Sequence, residues 1–208
     1  MVQKLKRIKV EEKLKALGVP VFTPREFRDI FGISANTASV FIKRNLKSGL
    51  FIKLRNNYYV LKDSNPSLCL IANKLYQPSY ISLQTALSHY GIIPEVVYAT
   101  TSVTAKMSRE FATPKGDFIY RRIKKTAFTG YGLRYIDRDN VFIAEPEKAL
   151  ADYLYFVDLK KVSLNDRLAL ANVNKKKLIQ SAKLFKRSSL LKLVDRVYVE
   201  HKKPRKIY

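Results

Sequence analysis

Apolar side chains recur at helical spacing through the first fifty residues, then give way to short alternating runs. Residues 2 to 17 set Leu5, Ile8, Leu14 and Leu17 among lysines with Gly18 behind them, which predicts a first helix. The stretch F-T-P-R-E at 22–26 is a compact helix start: Thr23 can cap, Pro24 suits the first turn, and Glu26 stands where a capping box needs it. Phe22 and Phe27 flank that start as a hydrophobic staple, and Gly32 permits the turn that ends the helix. Ser34 is the next N-cap and Gly49 the matching stop, so a further helix is predicted from about Ala35 to Ser48. Then L-F-I-K-L, R-N-N and Y-Y-V-L read as two strands around a polar turn in which Asn56 or Asn57 takes a positive φ. Two helices, a tight turn and a following hairpin predict a winged helix-turn-helix over residues 1–63, with S-N-P-S behind it as a linker.

The remaining residues, 64–208, mix both periods. Residues 80–93 predict a helix capped by Ser82 and stopped by Gly91, followed by a β-branched strand from Val96 to Thr104. A Pro-Lys-Gly turn at 114–116 joins two β-prone runs as a hairpin. On its second arm Phe118, Tyr120, Arg122 and Lys124 share one face, and Ile119, Arg121, Ile123 and Lys125 the other. A strand end at Phe142 leads into a helix opened by Pro146, and the segment from Ser163 reads as helical, with Leu178, Ala182 and Phe185 on one face and Leu190, Leu191, Val194 and Val197 on another. The predicted fold class is α+β: an N-terminal winged helix-turn-helix, then a mixed α/β second domain with a helical basic C-terminus.

Charge narrows the partner. Forty Lys and Arg against 17 Asp and Glu give a net +23. Residues 1–63 and 161–208 carry +9 and +11 of it, and residues 64–160 only +3. Self-repulsion of that size points to a polyanionic partner, nucleic acid first. An anionic membrane is the weaker alternative, because Trp is absent and no helix pairs a basic face with bulky aromatics. No apolar signal-peptide core follows the basic N-terminus and no run suffices for a membrane span, so a soluble cytoplasmic protein is expected. Cys69 is the sole cysteine, which excludes an intrachain disulfide; between Leu68 and Leu70 it is expected to be a buried small hydrophobe.

In the second predicted helix-turn-helix helix, Ala38, Phe41, Ile42 and Leu46 fall on one face and leave Asn36, Thr37, Ser39, Val40, Lys43, Arg44 and Lys47 toward solvent. Asn pairs with adenine, Ser and Thr serve base edges or phosphate, and Val40 can touch a thymine methyl. Lys43, Arg44 and Lys47 suit phosphates, and Ser34 opens a helix N-terminus with its own partial positive charge. Arg55, Asn56 and Asn57 at the wing tip are candidates for minor groove or backbone. The alternatives are a merely solvated helix face, a protein-binding winged domain and an ordinary exposed turn. A possible second basic surface comprises Arg121, Arg122 and Lys124 with Lys175, Lys176 and Lys177, against the alternative of a half-buried strand with arginines at its edge. The tail H-K-K-P-R-K-I-Y adds charge that reads as phosphate contact or as a solvated end.

Catalysis has little to stand on. His89 and His201 are the only histidines, no Gly-rich phosphate loop or metal-ligand cluster is present, and neither cofactor nor metal is expected. In F-I-A-E-P-E-K-A-L-A-D, Glu145 and Glu147 complement the helix dipole and Lys148 and Asp152 stand four apart as a pair. A nuclease using an acidic residue, a spacer and a lysine needs a carboxylate where Pro146 stands.

The N-terminal winged helix, then Y-I-S-L-Q-T-A-L-S-H-Y-G-I-I-P-E, V-T with A-T-P-K-G-D-F-I-Y-R, and A-E-P-E-K-A-L-A-D together resemble the AbiEi-type antitoxins of abortive-infection toxin-antitoxin systems. The resemblance implies a repressor that binds inverted repeats in its own promoter, double-stranded DNA, through the winged helix. It also implies a second domain, residues 64–208, that counters a cognate nucleotidyltransferase-like toxin without needing to touch it. A solitary winged-helix regulator, or a module binding RNA or a protein through the second domain, is the alternative.

Overall fold

The structure, a computed structural model, describes residues 5–202, so most of the basic tail and the first residues of the predicted opening helix lie outside the described residues. Helix α1 (Arg7–Ala16) buries Val10 and Leu14. Ile8 and Leu17, apolar residues of the predicted helix, are 70% and 53% exposed. At 100° per residue Ile8 lies 200° from Val10, so the two cannot share one wall. Two residues of strand β1 (Val21–Phe22), too short to show a period, lead into α2 (Pro24–Phe31) and α3 (Ala35–Lys47). Strands β2 (Phe51–Arg55) and β3 (Tyr58–Leu61) form the expected hairpin, with Asn57 at φ +63°, and β3 also pairs with β1 to give an antiparallel sheet of order β1-β3-β2.

The S-N-P-S stretch is an ordered joint. Ser64 Oγ donates to the Leu61 carbonyl (2.7 Å), Pro66 is buried, the Ser67 amide donates to Asp139 Oδ2 (2.7 Å), and Ser67 Oγ caps α4 (Leu68–Leu75). Helix α4 carries Ile71, Ala72 and Leu75 into the larger core, and Cys69 on it is half-buried rather than enclosed, its thiol pushed up to about 11 by burial.

The chain continues through β4 (Ser79–Ile81), α5 (Leu83–His89), β5 (Thr100–Thr104), β6 (Arg109–Thr113), β7 (Gly116–Arg122), β8 (Tyr131–Ile136), β9 (Asp139–Ala144), α6 (Pro146–Asp158), α7 (Lys175–Lys183) and α8 (Ser188–Lys202). The strands make a mixed sheet of order β6-β7-β5-β4-β9-β8, in which β5 runs parallel to β7 and β4 to β9. Tyr80 pairs with Val103 and Tyr120 with Ser102, adjacent residues of β5, so the two tyrosines lie on opposite faces. Tyr120 donates to the Ala72 carbonyl (2.7 Å) on the α4 side and Tyr80 to Asp152 (3.0 Å) on the α6 side, which makes a three-layer arrangement. The fold is therefore mixed α and β, with eight α-helices and two sheets among the described residues.

Three expectations are corrected. Residues 79–81 are strand, and Ser82 does not cap α5, because its hydroxyl is drawn to Asp152 Oδ2 (2.8 Å). The strand expected from Val96 begins at Thr100: Val96 and Tyr98 are 79% and 93% exposed, β-prone side chains with no partner strand to pack on. The helical reading from Ser163 holds only from Lys175, since Leu168, Leu170 and Val173 enter the core from irregular backbone.

Candidate nucleic-acid interface

The outward face of α3 is held by two local devices and one aromatic core. Thr23 Oγ1 accepts from the Glu26 amide (3.2 Å) while Glu26 Oε2 accepts from the Thr23 amide (2.7 Å), a complete capping box that fixes α2. Phe22 and Phe27 pack as the predicted staple at 5.4 Å between ring centroids. Gly32 then turns the chain at φ +60°, and Ser34 Oγ accepts the Thr37 amide (3.1 Å) to open α3. Beneath α3, the Phe27 ring lies 5.6 Å from Phe41 and 4.6 Å from Phe31, and Phe22 meets Phe51 edge-on at 5.0 Å.

Ala38, Phe41 and Ile42 are buried as their spacing requires, with Leu46 partly so. Asn45 is the residue spacing missed: it is 4% exposed, and its amide donates to the Phe41 carbonyl (2.8 Å) within the helix. A polar side chain that satisfies itself against its own backbone leaves no mark in the hydrophobic pattern.

Opposite the core stand Asn36, Ser39, Val40, Lys43, Arg44 and Lys47, all exposed, with Val40 at 57%. Asn36, Ser39, Lys43 and Lys47 follow one another at three and four residues, which is one stripe along the helix. No carboxylate occurs in α3, and the two on α2 are engaged, Glu26 in the capping box and Asp29 with Arg28 (2.6 Å). Thr37 is partly buried and its hydroxyl meets that of Ser34 at 2.8 Å, so this pair is committed first to the cap. Arg25 and Lys53, which spacing does not single out, are exposed on the same unit.

At the β2–β3 turn the candidates separate. Asn56 and Asn57 are exposed, but Arg55 turns inward: its guanidinium donates to the Leu75 carbonyl and lies over the rings of Tyr58 (4.1 Å) and Phe111 (4.7 Å). Arg55 joins the hairpin to the large sheet instead of extending from the tip. The cause is long-range, since Leu75 and Phe111 lie 20 and 56 residues along the chain.

In the second basic group some side chains have partners within the chain and others face solvent. Arg121 pairs with Glu110 (2.8 Å), Lys124 donates to the Phe185 carbonyl (2.7 Å), and Lys175 pairs with Asp195 (2.9 Å), while Arg122, Lys176 and Lys177 are exposed. The Lys148–Asp152 pair forms as expected but is shut off: the side chains are 1% and 0% exposed. Asp152 also accepts from Tyr80 and Ser82, and the Lys148 ammonium lies 5.0 Å from the Phe185 ring centre. Burial pushes the Lys148 ammonium below its usual range and the Asp152 carboxyl above its own, each opposed by the other's charge. Glu145 pairs with Arg134 (2.5 Å), and Glu147 accepts the Asn174 amide (3.0 Å).

Among the described residues no group of three His, Cys, Asp or Glu side chains could hold a metal ion, and no helix is long and apolar enough to cross a membrane. No protein-family model matches the chain, and no curated protein matches it.

Proposed function

We propose that the protein is a DNA-binding transcriptional repressor whose N-terminal unit is a winged helix-turn-helix, with α3 as recognition helix and the β2–β3 hairpin as wing. The observation that carries this reading is the carboxylate-free exposed stripe on α3, anchored by a cap at one end and an aromatic core beneath. Asn36 and Val40 read base edges, Lys43, Arg44 and Lys47 hold phosphates, and Asn56 and Asn57 approach the adjacent backbone. The net charge of +23 supplies the attraction that brings the chain to DNA. From the antitoxin resemblance, the operator is an inverted repeat in the protein's own promoter, and the second unit counters a nucleotidyltransferase-like toxin.

Fluorescence anisotropy on about 200 base pairs of upstream DNA, beside a shuffled duplex and across a salt series, tests this reading, because each neutralised phosphate adds about 0.9 to the salt slope. Preference for the native duplex that persists at high salt supports it. Equal affinity for both duplexes with a steep slope refutes sequence reading.

One observation favours a second reading, a module that meets a protein through its second unit. On the β8–β9 hairpin Leu133, Tyr135 and Phe142 are 51%, 72% and 46% exposed beside a sheet edge. Sedimentation of the chain with the product of a neighbouring toxin gene decides it: a complex abolished by Tyr135→Ser supports this reading, and separate species refute it.

A further inference from the structure

Over β5 and β7, on the sheet face that carries α6, a groove of about 780 Å³ lies open. Tyr153, Tyr155 and Phe156 of α6 form one wall, facing Thr101 of β5 and Ile119 of β7. Its floor is aliphatic, made by Leu83, Val97, Ile119 and Leu159, and its rim carries three cations, Arg121, Arg122 and Lys161. The volume is that of a small-molecule site, and the lining has the usual division between an apolar body and a few convergent polar groups.

Two strained turns build it. Leu83 is buried at 4% exposure yet has φ +56°, a left-handed conformation that a leucine adopts only when its surroundings impose it. Thr101 imposes it: its hydroxyl donates to the Ser82 carbonyl (2.7 Å) and accepts the Thr85 amide (3.0 Å), and its own carbonyl takes the Ser82 amide (3.1 Å). At the far side α6 ends with Lys160 at φ +55°, where glycine is the default. The Lys161 amide bonds back to the Phe156 carbonyl (3.0 Å) and the Lys160 amide to that of Val157 (2.9 Å), which sets Lys161 at the rim.

The rim charges are not spent on the fold. The carboxylate beside them is Glu110, whose pair with Arg121 has both side chains well exposed, at 61% and 41%. Such a pair is held weakly, so Arg121 can exchange Glu110 for an entering anion.

We propose that this groove binds an amphipathic organic anion, with an apolar body on the Leu83–Ile119 floor and a carboxylate or phosphate head at Arg121, Arg122 and Lys161. The site lies on the large sheet, apart from α3, and the inference stands without the DNA-binding reading.

Isothermal titration of the full chain in physiological salt with octanoate and with octyl phosphate tests it, with 1-octanol and inorganic phosphate as the half-ligands. The expected result is saturable 1:1 binding of at least one octyl anion, with neither half-ligand matching it. Arg121→Ser with Lys161→Ser weakens that binding at least tenfold, and Lys176→Ser with Lys192→Ser, which removes the same charge from α7 and α8, leaves it unchanged. A stronger response to octanoate assigns a carboxylate head and a stronger response to octyl phosphate a phosphate head. Failure of both anions to saturate, equal binding of inorganic phosphate, or equal loss in the two double variants overturns the proposal.

Discussion

Asp152 has no solvent contact, yet three donors converge on it: Lys148 from its own helix, and Tyr80 and Ser82 from either side of the end of β4. Removing one partner of a buried ion pair strands the other charge, which costs about 3–5 kcal/mol, whereas replacing both by apolar groups leaves nothing uncompensated. Lys148→Met is therefore expected to lower stability by about that amount in urea denaturation, and Lys148→Met with Asp152→Leu to recover part of the loss. A double variant as unstable as the sum of the singles would mean that the two side chains are not energetically coupled and would overturn this account of the pair. Cys69 gives a second test at this scale. Its folded thiol titrates at about 11 against an ordinary 9.0, so at pH 8 alkylation of the folded protein should be about 100-fold slower than after denaturation. Because the folded value is the raised one, this contribution to stability is complete below pH 9 and is lost as pH rises through 11. Labelling at the denatured rate would place Cys69 outside its burial site.

Elements were legible where the signal is local. The capping box at Thr23, the glycine turns at Gly32 and Gly49, and the positive φ at Asn57 are set by residues within a few positions of each other, and the structure forms each of them. What could not be read is pairing across distance. Strand β8 has a mixed pattern because it is an edge strand, and Asn73 looks like an ordinary helix residue until its amide is seen bonded to both backbone groups of Phe142, in the manner of a neighbouring strand. For the same reason Arg55 passed for a wing-tip cation. At this scale Thr23→Ala, which removes the hydroxyl acceptor of the box, should cost about 1 kcal/mol by thermal unfolding. On α3, Lys43→Ala with Lys47→Ala should weaken binding to every duplex and reduce the salt slope by about 2, while Asn36→Ala should leave the slope and relax base preference by about 1–3 kcal/mol. Equal, sequence-blind losses from both variants would remove the assigned division between phosphate holding and base reading.

At the scale of the whole molecule, composition and linker suggested a boundary at residue 63, but the hydrophobic core does not stop there. Val21, Leu54 and Val60 of the small sheet belong to the larger core, and the aromatic cluster under α3 is the part that closes on itself. The hairpin therefore has two faces with different partners: Phe51 and Leu61 look toward α3, while Leu54 and Val60 look toward the large sheet, where Arg55 adds its bond to Leu75. A fragment of residues 1–63 exposes the second set to water. Burial of a valine or leucine side chain is worth about 1.5–3 kcal/mol, and losing the burial of Leu54, Val60 and, on β1, Val21 is comparable with the whole stability of a small domain. The full chain should thus unfold in one transition that coincides by circular dichroism and tyrosine fluorescence, and the isolated fragment should be unfolded or aggregated at the temperature where the full chain is native. A fragment as stable as the full chain, or two separated transitions in the intact protein, would show that the joint transmits no stability and that α3 is held by its own aromatic cluster alone.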